Sequence, residues 1–167
     1  MLTEEGYIGV ALVLFEAEAK FDGFEDYRRE TSFLYKNRKE FWKRIKSGLI
    51  EARKILGNFK NQFIIGYCFG GAAVLETARS REEITGFVSF HGGLKTPEGQ
   101  NYSETTLSIL ILHASVDPVS GIDDFTNLVK ELNDFEIQHE VHIYEGVRHS
   151  FTIKGSRDYS EKAKNKS

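Results

Sequence analysis

Cysteine is almost missing from this chain: 167 residues hold one, Cys68. A single thiol excludes any internal disulfide and suits a reducing compartment. A dominant charge is missing as well. The formal net charge is −3, and the basic residues gather in one helical segment and are matched by acids elsewhere, so no nucleic-acid footprint stands out. No apolar run approaches the roughly 20 residues that cross a membrane as a helix. The opening Met1-Leu2-Thr3-Glu4-Glu5 has neither the basic nor the long apolar region of a secretory signal. Internal repeats and low-complexity linkers are lacking too. These absences lead to the expectation of a cytoplasmic protein without nucleic-acid or membrane partners. The length suits one domain, residues 1–167, with a substantial core.

What is present is organised around residues 63–75, FIIGYCFGGAAVL. A short apolar run reads as a buried strand, breaks at small residues and resumes as an Ala-rich helix. The one cysteine sits at the break. Gly66-x-Cys68-x-Gly70 is the cysteine form of the G-x-S-x-G nucleophile elbow, a tight strand-to-helix turn that pushes its central residue outward. Glycines two before and two after Cys68 leave room where a Cβ would collide with a neighbouring element. The N-terminus of the following helix favours thiolate over thiol. Taken alone, a free cysteine is most often a small buried hydrophobe. Phosphate binding by the glycines is the weaker reading. Their order is G-x-x-x-G-G, no Lys-Ser/Thr follows, and the next strand ends in His91 instead of an acidic residue for a ribose.

The rest of the chain reads as strands alternating with helices. Residues 7–15 (YIGVALVLF) are expected to form a doubly covered strand. Residues 16–30 read as an excursion loop with at most a helical turn. Apolar residues Phe41, Trp42, Ile45, Leu49, Ala52 and Leu56 give helical spacing over 31–56, closed by Gly57-Asn58. Residues 86–90 and 107–112 are further strands. Asp123 or Asp124 caps a helix that buries Phe125, Leu128, Val129 and Leu132, and 137–144 alternates as an outer strand. The whole is a mostly parallel sheet covered on both faces. In such sheets reactive residues gather in loops at the carboxyl ends of strands. Cys68, Asp117 and His149 occupy such loops, in the order nucleophile, acid, histidine that α/β-hydrolases show.

Four segments carry a resemblance to the dienelactone hydrolase family of α/β-hydrolases. They are Gly66-Tyr67-Cys68-Phe69-Gly70-Gly71, Ser89-Phe90-His91-Gly92-Gly93-Leu94, His113 through Asp117-Pro118, and His149-Ser150-Phe151-Thr152. The resemblance implies an α/β-hydrolase-like fold and a Cys-Asp-His triad that cleaves a small ester or lactone without a cofactor. In that scheme Cys68 attacks the carbonyl, His149 shuttles the proton, Asp117 fixes the imidazole, and the Phe69 backbone N–H is half of the oxyanion hole. It also implies strands before, and a long helix after, the part this chain matches, so truncation at both ends is expected. A sheet edge exposed in this way invites self-association, and the alternative function is a catalytically weak remnant acting as an interaction or structural module.

Other side chains have open or structural roles. His91 lines the pocket or packs structurally, Tyr67 is a candidate pocket residue, and Arg148 with Lys154 is placed to attract a substrate carboxylate. His113 reads as a structural residue hydrogen-bonding in its loop. His139 and His142 lack a third ligand, so no metal is expected.

Overall fold

The computed structural model describes residues 4–16, 19–57 and 59–167. The sequence reads as one domain; the chain falls into two compact units, Met1–Lys60 and Asn61–Ser167, each described by itself.

The first unit is helical. α1 (Phe24–Lys36) and α2 (Arg38–Leu56) meet at Asn37, whose backbone leaves the helical region at φ −116°, ψ 68°. The Asn37 side chain donates to the Phe33 carbonyl at 2.8 Å, and its N–H reaches the Phe33 and Leu34 carbonyls. An asparagine that bonds its own preceding turn competes with helix propagation. The single helix expected over 31–56 is therefore two, and the first begins inside the expected loop. Gly57 ends α2 at φ +86°, a left-handed value that glycine adopts without a Cβ penalty; Asn58 lies outside the described residues.

Residues 7–15 are the larger correction, because the structure has no strand there. Tyr7, Ile8, Val10 and Val13 are exposed. A strand needs neighbours to take its backbone groups, and the described part of this unit contains helices only. What holds the segment is local. The Leu12 side chain lies over Gly48 of α2, and Arg44 donates to the Leu14 carbonyl at 3.2 Å.

The second unit holds the sheet. β1 (Phe63–Tyr67), β2 (Gly86–Phe90), β3 (Ser108–Ala114) and β4 (His139–Tyr144) lie in sequence order, all parallel. β1 and β4 are the outer strands, as expected for β4. Register pairs Gly66 with Ser89, Ser89 with Ile111, and His113 with Ile143, so these side-chain positions share one face. α3 (Phe69–Ala78) lies on that face, where Ser89 Oγ donates to the Gly71 carbonyl at 3.2 Å. α4 (Ile122–Asp134) covers the same face at β3, with Phe125 stacked on His113. Its N-cap is Gly121 without a side-chain cap, so Asp123 and Asp124 sit in the first turn instead of capping it. There their charges favour the helix dipole. On the other face, Phe151 from the loop after β4 and Ala163 from the short α5 (Glu161–Lys164) close with Tyr144 and Val147 over Ala114.

His113 departs from its expected place. The ladder continues past the apolar run, so His113 is inside β3 and not in the loop. It is buried, and neither ring nitrogen has a hydrogen-bond partner among the described residues. Burial pushes its pKa below the ordinary 6.5, helped by the charges of His149 and His91 and opposed by Asp117 and Asp124. The unfolded chain therefore takes up the proton first as pH drops beneath 6.5. This residue's contribution is lost as pH falls through the folded value. His113→Leu, of similar volume, should raise stability by about 1 kcal/mol at neutral pH and weaken that acid dependence. Urea midpoints measured across the acid range check both.

Candidate active site

The turn between β1 and α3 explains how Cys68 is presented. Cys68 adopts φ 51°, ψ −116° and caps α3, a backbone region that non-glycine residues enter only when their surroundings force it. A Cβ at Gly66 would overlap the Gly70 carbonyl and lie 2.8 Å from the Gly71 nitrogen. The second close approach is made by Gly71 and not by Gly70. A Cβ at Gly71 would meet Gly92 Cα and Ser89 Oγ at 2.8 Å each, whereas one at Gly70 meets nothing within 4 Å. The second glycine of the motif, expected to provide clearance, therefore provides none. Its neighbour is the one that brings α3 against the end of β2.

Three loops converge on the sulfur. Asp117 follows β3, and its Oδ1 accepts the N–H groups of Val119 and Ser120 at 2.8 and 3.2 Å. Those bonds fix the carboxylate, and Oδ2 then receives His149 Nδ1 at 2.8 Å. Burial pushes the Asp117 pKa up, but the bonds from His149, Val119 and Ser120 outweigh it and leave it below the ordinary value. His149 comes from the loop after β4. Burial works against its charged form, yet the bonds to Asp117 and Cys68 raise its pKa to about 9. For Cys68 the influences are reversed. Burial raises its pKa, and hydrogen bonds from His149, His91 and Ser150 bring it down to about 6. Between those values the pair is thiolate and imidazolium.

His91 is the residue whose place the sequence left open. It directly follows β2 at φ 37°, is fully buried, and brings Nδ1 to 3.3 Å from Cys68 Sγ while Nε2 meets Thr152 Oγ1 at 2.8 Å. Its ring also stands edge-on to His149, 5.2 Å between centroids. Ser150, at φ 62°, places Oγ 3.4 Å from Sγ. Ser150 and Thr152 were quoted within a motif but given no role. Their only signal was two small hydroxyl residues flanking Phe151 directly after His149.

The remaining candidates lie apart from the sulfur. Arg148 turns to Asp158, Nε to Oδ1 3.4 Å, so the structure does not bring it to the cluster. Tyr67 stacks on Phe90 at 4.5 Å. Together with Thr152, Ile153, Lys164 and Ser167 they wall an open groove of about 540 Å³. Cys68 is not in that wall; the groove abuts the cluster through Thr152. His142 Nε2 bonds Glu140 at an exposed site on β4. Among the described residues no helix is long and apolar enough to cross a membrane.

Known structures share this architecture. A dienelactone hydrolase-like promiscuous phosphotriesterase from metagenomic libraries is 26% identical, with a TM-score of 0.73 over 83% of this chain and 62% of that one. The structure of m3DLH is 22% identical, with a TM-score of 0.80 over 92% of this chain and 67% of the other. Esterase PE8 is 17% identical, TM-score 0.62, over 77% of this chain and 57% of its own. The chain thus spans about three-fifths to two-thirds of the length of these proteins. The fold is α/β-hydrolase-like, a parallel four-stranded sheet with helices. No curated protein sequence matches the chain. The dienelactone hydrolase family model matches residues 1–167, and with the elbow, the parallel sheet and the cysteine-centred cluster in place, the chain belongs to the dienelactone hydrolase family.

Proposed function

We propose that the chain is a hydrolase of small esters or lactones in which Cys68 is the nucleophile, His149 the base and acid, and Asp117 the group that orients the imidazole. The observation carrying this reading is the His149 ring, tied at Nδ1 to Asp117 Oδ2 at 2.8 Å and standing in a cluster whose ligand atoms, the Cys68 sulfur among them, lie within 4.8 Å of one another. A thiolate at the elbow forms a carbon–sulfur bond to the substrate carbonyl. The oxyanion that develops is stabilised by the positive end of α3, where the Phe69 N–H is the first of the helix. Collapse expels the alkoxide, which takes the proton from His149 Nε2. Neutral His149 then removes a proton from water, whose oxygen attacks the thioester. The acid leaves, and the sulfur returns as thiolate beside the imidazolium. Because the chain is similar to a phosphotriesterase, phosphotriesters are the second substrate class we propose for this site.

Acid-quenching the protein during turnover of an aryl acetate tests the reading. Intact mass should rise by one acetyl group, located on Cys68 and absent in Cys68→Ala. Aryl alcohol released equally fast by Cys68→Ala would overturn it and leave the interaction-module reading. A second measurement follows the rate of thiol alkylation against pH. Its inflection is expected near 6, in place of the ordinary 9.0, and should move upward in His149→Ala. An inflection at the ordinary thiol value, unmoved by His149→Ala, would refute the assigned pairing.

A further inference from the structure

The cysteine-centred cluster contains more ligating groups than ester hydrolysis uses. One ligand atom each from Cys68, His91 and His149 lie within 4.8 Å of one another. They arrive from the elbow after β1, the end of β2 and the loop after β4. An ion with thiolate sulfur at about 2.3 Å and imidazole nitrogen at about 2.0–2.1 Å, tetrahedrally arranged, sets its ligand atoms roughly 3.5 Å apart. Sγ of Cys68 and Nδ1 of His91 already stand 3.3 Å apart. The remaining ligand atom needs a movement on the order of 1 Å to complete such a tripod.

Each imidazole also has the outer partner that a metal-bound histidine needs. His149 gives its Nδ1 proton to Asp117 Oδ2, which leaves Nε2 as the ligating atom. His91 Nδ1 faces the Cys68 N–H at 3.3 Å, a bond this N–H shares with the Phe90 carbonyl at 3.1 Å. Ligation through Nδ1, 3.3 Å from the sulfur, requires the tautomer with the proton on Nε2, and Thr152 Oγ1 at 2.8 Å is placed to accept that proton. These are the second contacts that fix tautomer and ring direction in metal sites. Once the proton that His149 Nε2 holds beside the thiolate has left, two nitrogen lone pairs and the sulfur face one another. Their mutual repulsion is relieved by a cation among them. One mobile proton serves one nitrogen, whereas a divalent ion serves all three atoms.

We propose that Cys68, His91 and His149 form a three-ligand site for zinc, with the fourth coordination position open to water. Sulfur with two imidazoles selects zinc over magnesium or calcium, which prefer oxygen. As the zinc–sulfur bond forms, the proton shared by Cys68 and His149 leaves to solvent. The site stands on geometry alone and does not depend on the hydrolase reading. Where that reading holds, zinc occupies both the attacking sulfur and the Nε2 that moves the proton, so the bound form is silent and a chelator restores it.

Cobalt(II) titration of the full, chelator-stripped chain tests this without any activity measurement. One equivalent should develop the intense visible bands of tetrahedral cobalt together with a near-ultraviolet thiolate charge-transfer band, and zinc should erase both. His91→Gln removes a ligand. Thr152→Val removes only its outer partner and should weaken zinc binding by about 10–100-fold, with far-ultraviolet circular dichroism unchanged. His142→Ala, at the exposed Glu140 pair, should leave binding as it was. Should His91→Gln fail to fold, Thr152→Val decides. Absence of the thiolate band, native-strength zinc binding by Thr152→Val, or loss of binding in His142→Ala would each overturn the site. Ester turnover in the metal-free chain is unaffected by any of those results, so failure of the zinc site and failure of the hydrolase reading are told apart.

Discussion

Asp117→Asn is expected to slow aryl-ester hydrolysis about 10⁴-fold, close to the loss from His149→Ala, although it changes only one atom. At about 1.4 kcal/mol per tenfold this is roughly 5.5 kcal/mol of transition-state stabilisation. The reason lies in how the carboxylate is already committed. Oδ1 accepts the N–H groups of Val119 and Ser120, and an asparagine retains those bonds only by presenting its carbonyl oxygen to them. Its NH₂ group then faces His149 Nδ1, where Oδ2 stood at 2.8 Å. A donor opposite a donor is untenable, so the ring shifts its proton to Nε2 and aims a lone pair at the substituted amide. The neutral ring then meets Cys68 as an N–H with no base to offer.

The same change should depress the His149 pKa from about 9, since the Asp117 bond is the largest influence raising it. The plateau expected between about 6 and about 9, where thiolate and imidazolium coexist, should therefore shrink from its alkaline side. Initial rates against pH for the native chain, Asp117→Asn and His149→Ala measure this. A loss under tenfold in Asp117→Asn, with an unchanged alkaline limb, would remove Asp117 from the mechanism.

How much of this could be read beforehand depended on how local the cause was. The elbow was legible because its geometry lies within a few residues: a strand, a cysteine between glycines, an Ala-rich helix. That the sheet is parallel also followed from alternation of strands and helices. Residues 7–15 misled because apolar composition records a tendency to be covered and says nothing about whether a neighbouring strand exists to pair with. Asn37 was passed over because the apolar spacing continues through it, while its side chain bonds back to Phe33. His113 was misplaced by one ladder step. The run of apolar residues stops at Leu112, but pairing with Ile143 and Tyr144 carries the strand through Ala114. The hydroxyls of Ser150 and Thr152 could not be assigned at all. Their aim depends on a left-handed backbone at Ser150, which no pattern of residue types announces.

Gly66→Ala is expected to abolish the folded state of the second unit, while Gly70→Ala, four residues along the same motif, should be harmless or mildly stabilising. At Gly66 the obstacle is main chain. The new methyl would overlap the Gly70 carbonyl and crowd the Gly71 nitrogen, and neither can rotate aside as a side chain can. Relief means moving the first turn of α3 away from β1. That turn is also held from the far side, where Gly71 and Gly92 approach so closely that a Cβ on either would meet the other's backbone. Overpacking against yielding neighbours costs about 1–3 kcal/mol; against fixed backbone on both sides the cost should exceed the ~5–15 kcal/mol stability of an ordinary domain. Gly70 has open space at its Cβ position and lies inside α3, so alanine there should gain about 0.5–1 kcal/mol from helix propensity. Thermal melts followed by circular dichroism separate the cases. A cooperative transition in Gly66→Ala near that of the native chain would mean that α3 can leave β1 without loss, and the elbow would then not be what holds Cys68 in its left-handed conformation.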